Sequence, residues 1–434
     1  MSAVMEQQPA SGSLRTNGDF IKLWTGQGIS AVGTQVSTVA LPLTAVISLH
    51  ATAGQMGLLN TMQWLPFLLF ALIIGSYADR LRRRPLLVIA DIGRALVLGL
   101  IVTLAVTKVL EVPLLIGLVF LFGVFTVMFE VTYFAYLPTL VDRSLLVPAN
   151  SRLQATASVA QVGGPALGGV LVQLVTAPIA LLADAISFLC SVTSLLLLRT
   201  REERRPAPPA GEGNLHRIRE GLKITYRNPF LRALVGVAAS YNFFDEWILT
   251  LFLLYAVHDL HLHAGTIGLI ISGGAVGAVV GSVLTGPASR WFGLGGALVI
   301  SVSVESAVML AIPFIPALRS YTVISLIVVY ALNGFGVALS SVAAVSIRQS
   351  VTPDALLGRM TASYRSISYG AIPLGAAAGG LIGQLFGLRN GLLVGAAGML
   401  TTIAWVTFSP LPKLRTVQDA EAAAMGKEVP AGAR

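Results

Sequence analysis

Charged side chains are scarce in this sequence. Asp, Glu, Lys and Arg make up 11% of its 434 residues, whereas hydrophobic residues make up 55%. Ordinary soluble chains carry about 25% charged residues. Because so few charges could not cover the surface of a soluble protein of this length, the composition excludes a soluble enzyme, a disordered protein and a nucleic-acid-binding domain.

Cysteine and the common enzyme motifs are lacking as well. Cys190 is the only cysteine, so no disulfide can form within the chain. The sequence contains no G-x-x-x-x-G-K-S/T, no H-E-x-x-H and no G-x-S-G, which argues against an ATPase and an intramembrane protease. We expect no enzymatic activity, no cofactor and no metal centre, and we interpret His258, His261 and His263 as a solvated turn.

Long apolar runs are the dominant feature. Because a bilayer core is about 30 Å thick, a helix that spans it needs roughly 20 mostly apolar residues. Unbroken runs favour helices over barrel strands, whose residues alternate between apolar and polar. Twelve stretches qualify as spans: Leu23–Leu49, Gln55–Ala78, Pro85–Thr107, Val112–Val141, Leu153–Thr176, Pro178–Leu198, Phe230–Val257, Ala264–Ala288, Gly295–Pro316, Tyr321–Ile347, Met360–Phe386 and Gly391–Ser409.

The links between the spans divide the chain into two halves. Short turns join the first six spans and the last six, whereas the link from Arg199 to Asn228 is longer. The sequence therefore predicts a polar tail at residues 1–18, bundles at 19–198 and 229–412, a linker at 199–228 and a tail at 413–434. Apolar residues at helical spacing in the linker indicate either a basic amphipathic helix on the inner leaflet or a solvated tether. The polar start and the long first run argue against a cleaved signal peptide.

Positive charges are distributed unevenly between the two sides. If the N-terminus is cytoplasmic, the outer turns hold only Lys108, Arg319 and Arg389, and the other loop arginines lie inside. Cytoplasmic loops of membrane proteins carry such an excess of Lys and Arg. We predict a multi-pass protein of the cell (inner, cytoplasmic) membrane with both termini in the cytoplasm.

A weak internal repeat supports the division into halves. A shift of 210 residues places Phe20 on Phe230 and Gly26 on Gly236. Because each half has an even number of spans, the two bundles have the same orientation. Parallel halves of this kind are typical of transporters, whose substrate site lies near mid-membrane between them.

The loop after the second span resembles the major facilitator superfamily. The family motif G-x-x-x-D-R-x-G-R-R is matched by Gly75, Asp79, Arg80, Arg83 and Arg84, while Arg82 replaces its second glycine. The resemblance implies an all-α membrane protein with twelve transmembrane helices in two pseudo-symmetric six-helix bundles. It also implies that this loop is a cytoplasmic gate, with Asp79 near the start of the eleventh span.

The fifth span carries a second match to the superfamily. Gly164, Pro165, Gly168 and Gly169 fit G-P-x-x-G-G, which is typical of its drug/proton antiporters. Pro165 removes a backbone hydrogen bond and bends the helix, and Gly164 and Gly168 permit close helix approach. Residues 20–30, 90–95 and 183–188 are similar to the branch that contains macrolide-efflux and enterobactin-exporter proteins. That branch implies secondary active export by alternating access, usually driven by protons.

Ionisable residues inside the predicted spans need a reason, because each charge costs about 2.5–3.5 kcal/mol there. Asp91 and Arg94 are three residues apart on one helical face and can form an ion pair. We interpret them as a structural or gating pair and place both among the candidates for the cytoplasmic gate. Arg359 and Arg365, near the start of the eleventh span, are further gate candidates.

Five carboxylates in the spans are candidates for proton coupling: Glu130, Asp245, Glu246, Asp184 and Glu305. The superfamily fold implies that the first, fourth, seventh and tenth helices line the central cavity, which favours the first three. A desolvated carboxyl group without a fixed cation favours its neutral form, so it can bind a proton from one side and release it to the other. For each of the five, an ordinary interhelical hydrogen bond is the alternative.

Aromatic and amide side chains accompany the carboxylates. The cavity candidates are Gln27, Gln35, Phe129, Tyr133, Tyr241, Phe244, Trp247 and Asn333. An aromatic cavity with carboxylates suits amphipathic, often cationic, compounds, although ordinary packing is the alternative for most of the rings. We expect a monomer in the lipid bilayer that exports a small amphipathic drug or natural product, macrolide- or siderophore-like, in exchange for protons. A symporter or facilitator importing a small polar solute, and a non-transporting receptor or lipid-handling relative, are the alternatives.

Overall fold

The computed structural model describes residues 14, 17–78, 81–142, 145–200, 214–353 and 356–424, and helices joined by short turns make up these ranges. The helices are α1 (Gly18–Leu43), α2 (Ala53–Ala78), α3 (Arg83–Val106), α4 (Val112–Tyr136), α5 (Leu146–Leu174), α6 (Ala177–Leu196), α7 (Asn214–Arg227), α8 (Pro229–His258), α9 (Ala264–Ala307), α10 (Thr322–Ser350), α11 (Leu357–Phe386), α12 (Leu388–Met399), α13 (Thr401–Thr407) and α14 (Val417–Ala424). A π-helical turn, Thr44–Ser48, extends α1, and a 3-10 segment, Val308–Tyr321, follows α9.

Twelve crossings of a bilayer can be traced in the described ranges. Ten helical segments are long and apolar enough to cross a membrane. One of them, Ala264–Ile315, contains two spans, because Gly293 interrupts α9 with a φ of 74°, a conformation that glycine adopts without strain. α2 has 26 residues without a charge and adds the twelfth crossing. The all-α membrane fold of two six-helix bundles, α1–α6 and α8–α13, is therefore confirmed.

The two bundles begin in the same way. Asn17 caps α1, because its Oδ1 accepts a hydrogen bond from the N–H of Phe20 at 2.9 Å. Asn228 caps α8 by accepting from the N–H of Phe230 at 2.9 Å. Both phenylalanines are buried. Equivalent caps and equivalent buried rings agree with the internal repeat seen in the sequence.

Two names describe the ends of the molecule. The proximal face is the end at which α1 begins and α6 ends, and the distal face is the end with the turns at 49–52 and 259–263. α7 lies at the proximal face against α8 and α11. There Gly221 packs on Arg359 and Ser363, and Glu220 forms an ion pair with Arg359. The linker helix is thus docked on the second bundle.

The buried apolar residues form one shared cluster and two separate ones. The shared cluster joins the distal halves of both bundles, from Val36 and Leu59 to Trp247 and Leu251. At the proximal end, each bundle has a cluster of its own, around Phe20 in the first and Phe230 in the second. The bundles therefore pack together at the distal half and are separate at the proximal half, which leaves the space between them open toward the proximal face.

Candidate functional site

Glu130 and Arg365 lie where the two bundles separate. Both side chains are exposed, Glu130 on α4 of the first bundle and Arg365 on α11 of the second. The Glu130 carboxylate feels the positive charges of Arg94 and Arg365. Glu130 is thus close enough to a cation of the other bundle to interact with it electrostatically.

A buried polar cluster crosses the first bundle between α1, α3 and α6. Asp91 and Arg94 form the predicted ion pair, and both are buried. Asp184 of α6, which is 0% exposed, feels the charges of both. Its Oδ1 accepts a hydrogen bond from Ser187 Oγ at 2.9 Å. With two carboxyl groups around one guanidinium, the cluster has room for one bound proton.

Arg94 is enclosed by aromatic rings. Its guanidinium carbon lies 4.2 Å from the ring centroid of Phe129 and 4.1 Å from that of Phe188. Tyr133 stacks on Phe129 with their centroids 5.6 Å apart. Phe129, a cavity candidate in the sequence, therefore packs inside the bundle against Arg94. Cation–π contact supplies part of the stabilisation that this buried charge needs.

A second polar cluster crosses the second bundle between α8, α9 and α10. Tyr241 Oη lies 3.2 Å from Asp245 Oδ1 and 3.2 Å from Asn333 Oδ1. Asn333 Nδ2 donates to the backbone oxygen of Glu305 at 3.0 Å, which fixes the orientation of its amide. Glu305, 2% exposed, accepts from Ser340 Oγ at 2.9 Å. Asp245 and Glu305 are therefore joined through one hydrogen-bonded chain.

The number of hydrogen atoms available to this series of hydrogen bonds limits the protonation state of Asp245. Tyr241 has a single hydroxyl proton, and the Asn333 oxygen can only accept. If Tyr241 donates to Asn333, its contact with Asp245 is a hydrogen bond only when Asp245 carries a proton and donates it. The arrangement therefore accommodates a protonated Asp245 with every contact satisfied.

The two adjacent acids of α8 point in different directions. Asp245 joins the Tyr241 chain, whereas Glu246 is buried on another side of the helix and feels the negative charge of Asp245. Trp247 packs inside the bundle, where its Nε1 donates to the backbone oxygen of Gly391 at 2.9 Å. Phe244 packs against Gly398 of α12. Trp247 and Phe244 thus support α8 from within the bundle, although the sequence placed them among the cavity candidates.

The glycine–proline motif of α5 contacts both bundles. Gly164 packs on Gln35 of α1, and Gly168 packs on Val36. On the other side, Gly169 lies against the backbone of Ala264 and Gly265 in α9. These glycines allow α5 to approach its own bundle and the opposite bundle closely. Gln35 therefore lies at a helix contact.

The predicted gate residues are distributed over several contacts. Asp79 and Arg80 lie outside the described residues, and Gly75 belongs to the last turn of α2. Arg83 is buried at the start of α3, and Arg84 Nη2 donates to the backbone oxygen of Leu196 at 2.7 Å. Arg359 pairs with Glu220 of α7. These contacts join Arg84 of α3 to α6 and Arg359 of α11 to α7.

Sequence reasoning missed the serine residues that complete the two clusters. Ser187 and Ser340 each donate to a buried carboxylate, and Ser191 accepts from Gln27 Nε2 at 2.8 Å. Serine is common in membrane helices, so the presence of a serine does not by itself indicate a functional residue. Ser187 lies three residues after Asp184 on α6, so its spacing was a usable signal. The contacts of Ser340 and Ser191 join residues distant in sequence, so only helix packing identifies these two.

Comparison with known proteins gives consistent relatives. A family model described as transmembrane secretion effector matches residues 13–430. The chain is 26% identical to the multidrug efflux pump Tap of Mycolicibacterium fortuitum over 401 residues, covering 89% of this chain and 94% of Tap. It is 25% identical to the enterobactin exporter EntS of Citrobacter koseri over 382 residues, covering 86% of this chain and 87% of EntS. A bacterial homologue of the iron transporter ferroportin in its inward-facing state has the same fold, with a TM-score of 0.71 at 17% identity over 92% of this chain and 99% of that one.

Proposed function

The chain belongs to the transmembrane secretion effector family of the major facilitator superfamily, and on that premise we propose that it exports an amphipathic small molecule in exchange for protons. Family membership makes it a membrane transporter and not an enzyme. The direction of transport is supported by two relatives whose names describe an efflux pump and an exporter. Proton coupling rests on the chain's own carboxyl groups.

The orientation is part of the proposal. Exposed basic side chains gather at the proximal face, among them Arg82, Arg219 and Arg227. Within the described ranges, the Lys and Arg residues near the distal turns are Lys108, Arg319 and Arg389. Since Lys and Arg accumulate in cytoplasmic loops, the proximal face would be cytoplasmic. The open space between the bundles would then receive cargo from the cytoplasm.

One observation carries the proton coupling. Asp245, Glu246 and Glu305 are packed within one bundle, and the structure describes no ion pair for any of them. Glu246 and Glu305 both feel the negative charge of Asp245. Like charges in an apolar surrounding disfavour simultaneous ionisation, so such a group takes up protons readily.

A transport cycle can be built on the repulsion between the carboxylates of the second bundle. When the distal side opens, the carboxyl groups of the second bundle take up protons from outside, and the neutral bundle can close on itself. When the proximal side opens, they release protons to the cytoplasm, and a cargo molecule enters the space between the bundles. Because a ligand shifts such an equilibrium only by its differential affinity for the two states, protons and cargo must favour opposite transitions.

A screen in cells tests the proposal. Cells that express the chain are loaded with dyes, antibiotics and siderophores, and the retained amount is measured with and without a protonophore. We expect lower retention of at least one amphipathic compound, and the protonophore should abolish the difference. Increased uptake of a small polar solute would instead favour the importing alternative. Efflux that persists unchanged with the protonophore would contradict proton coupling.

A further inference from the structure

A cleft of about 200 Å³ opens in the first bundle between α1, α4 and α5, near the proximal face. We call it the vestibule. The aromatic and polar residues that line it are Trp24, Gln27, Tyr133, Asn150, Gln154 and Thr156. It lies apart from the carboxylate chain of the second bundle, and neither the gate nor the coupling chemistry uses Asn150 or Gln154. Its position places it where cargo from the proximal side would first meet the protein.

Several amide groups in the vestibule have donor or acceptor atoms that are not used in hydrogen bonds within the described contacts. Asn150 Nδ2 donates to the backbone oxygen of Leu146 at 2.9 Å, which leaves the amide oxygen to accept. Gln27 Nε2 is used in the bond to Ser191, so its oxygen is also an acceptor. Gln154 is exposed, and the described contacts include no hydrogen bond for it. These amides can pair with hydroxyl, amide and carbonyl groups of a ligand.

The charge of the vestibule argues against a cationic ligand. None of its lining residues is charged. The Arg152 guanidinium carbon lies 5.9 Å from the ring centroid of Trp24, so a cation already occupies a face of that ring. One face of Tyr133 is covered by Phe129. A second cation would meet repulsion from Arg152 and little free ring surface.

We infer that the vestibule is a loading site for an uncharged, ring-bearing compound with hydrogen-bonding groups, and that it discriminates against organic cations. This inference rests on the proposed export function and specifies the cargo more narrowly. It departs from the expectation from sequence that the cargo is amphipathic and often cationic. A ring of the cargo occupies the cleft between α1, α4 and α5, and its polar substituents pair with the amides of α1 and α5.

Two probes of one shape separate the effect of charge from that of size. N-methylacridone is neutral and has a carbonyl acceptor, whereas N-methylacridinium shares its three-ring skeleton and is a permanent cation. Their fluorescence is titrated with the full-length protein in lipid nanodiscs, at one pH and without a gradient, after subtraction of empty nanodiscs. We expect the acridone to bind at least about tenfold more tightly than the acridinium, a difference of ~1.4 kcal/mol.

Three variants locate the binding. Gln154→Leu preserves side-chain size at an exposed position, and it should weaken acridone binding about fivefold or more, in line with one lost hydrogen bond. Arg152→Gln should strengthen acridinium binding. Gln349→Leu, at an exposed amide of the proximal end of α10 in the other bundle, is the matched control and should change neither affinity. Equal or tighter binding of the acridinium to the unaltered protein, or an unchanged acridone affinity in Gln154→Leu, would overturn the inference.

The design keeps this inference separate from the proposed function. Binding is measured without a proton gradient, so a failure of proton coupling leaves the binding result intact. Conversely, proton-driven efflux together with a preference for the acridinium would sustain the export function and refute the loading site.

Discussion

Thr61 of α2 contacts Pro373 of α11 across the two bundles, with its Oγ1 3.1 Å from the proline carbonyl oxygen. We call the contact of α2 with α11 the distal seam. The contact of α5 with α9 also joins the bundles through a hydroxyl beside a proline, because Ser272 Oγ of α9 accepts from the N–H of Ala166, directly after Pro165, at 3.0 Å. A proline cannot donate to its own helix and bends it, which exposes neighbouring backbone groups to a hydroxyl. Both contacts lie in the distal half, so the proposed export of cargo through the distal face requires both of them to break.

The distal seam depends on glycine at position 57. A Cβ there would lie 2.7 Å from the carbonyl oxygen of Ala376 and 2.7 Å from the Cα of Gly380, both backbone atoms. We expect Gly57→Val to hold α2 and α11 apart, so that the distal half no longer closes and export is lost while the protein still inserts. The measurement is labelling of Thr61→Cys by an impermeant maleimide, in a Cys190→Ser background.

The matched control for this variant is Gly117→Val in α4. A Cβ at Gly117 has no neighbour within 4 Å, so the added side chain meets no other helix there. Labelling of Thr61→Cys should rise in Gly57→Val and stay at the parental level in Gly117→Val. Equal labelling in the two backgrounds would show that the seam tolerates the added bulk.

A disulfide can lock the same seam. A Cβ on Gly54 would lie 3.9 Å from the Cβ of Gln384. Disulfide-bonded cysteines have a Cβ–Cβ distance of about 3.8 Å. We expect Gly54→Cys with Gln384→Cys, in the Cys190→Ser background, to cross-link under mild oxidation and to stop export. Reduction should restore it. Normal export by the cross-linked protein would mean that these helix ends do not separate during transport.

Local spacing was sufficient to predict the Asp91–Arg94 pair, because residues three apart share a face of a helix. It could not place Asp184 beside that pair, since this contact depends on how α3 and α6 pack. The rotation of α8 was likewise undetermined, because apolar residues occur on all its sides. For that reason the sequence grouped Trp247 with Tyr241 as cavity candidates, whereas the structure packs Trp247 against Gly391. The twelve crossings were predictable because bilayer thickness sets their length.

Arg94 should be important for the stability of the first bundle. Its removal leaves Asp91 and Asp184 buried without a cation, and breaking a buried pair in this way costs about 3–5 kcal/mol. We expect Arg94→Ala to lower the Tm of the purified protein markedly, and Arg94→Ala with Asp91→Ala to recover part of the loss. Arg232→Ala, an exposed arginine of α8, is the control. A loss no larger than that of the control would show that the cluster does not depend on Arg94.

The acids of the second bundle can be tested as coupling groups rather than as structural ones. Asp245→Asn, Glu246→Gln and Glu305→Gln keep the shape of each side chain but cannot release a proton. A structural role predicts loss of all transport, whereas a coupling role predicts loss of the response to protons with exchange of cargo retained. Glu421→Gln in α14, an exposed acid, serves as the control.

The most direct measurement compares net transport with exchange in liposomes that contain the protein and the best cargo from the cellular screen. With a lumen one pH unit more acidic than the medium, inside-out wild-type protein should accumulate cargo up to about tenfold per proton exchanged, because one unit corresponds to ~1.36 kcal/mol. The protein with Asp245→Asn, Glu246→Gln and Glu305→Gln together should show no accumulation but should still exchange labelled for unlabelled cargo at equal pH. Accumulation driven by the pH gradient in that triple variant would contradict the account.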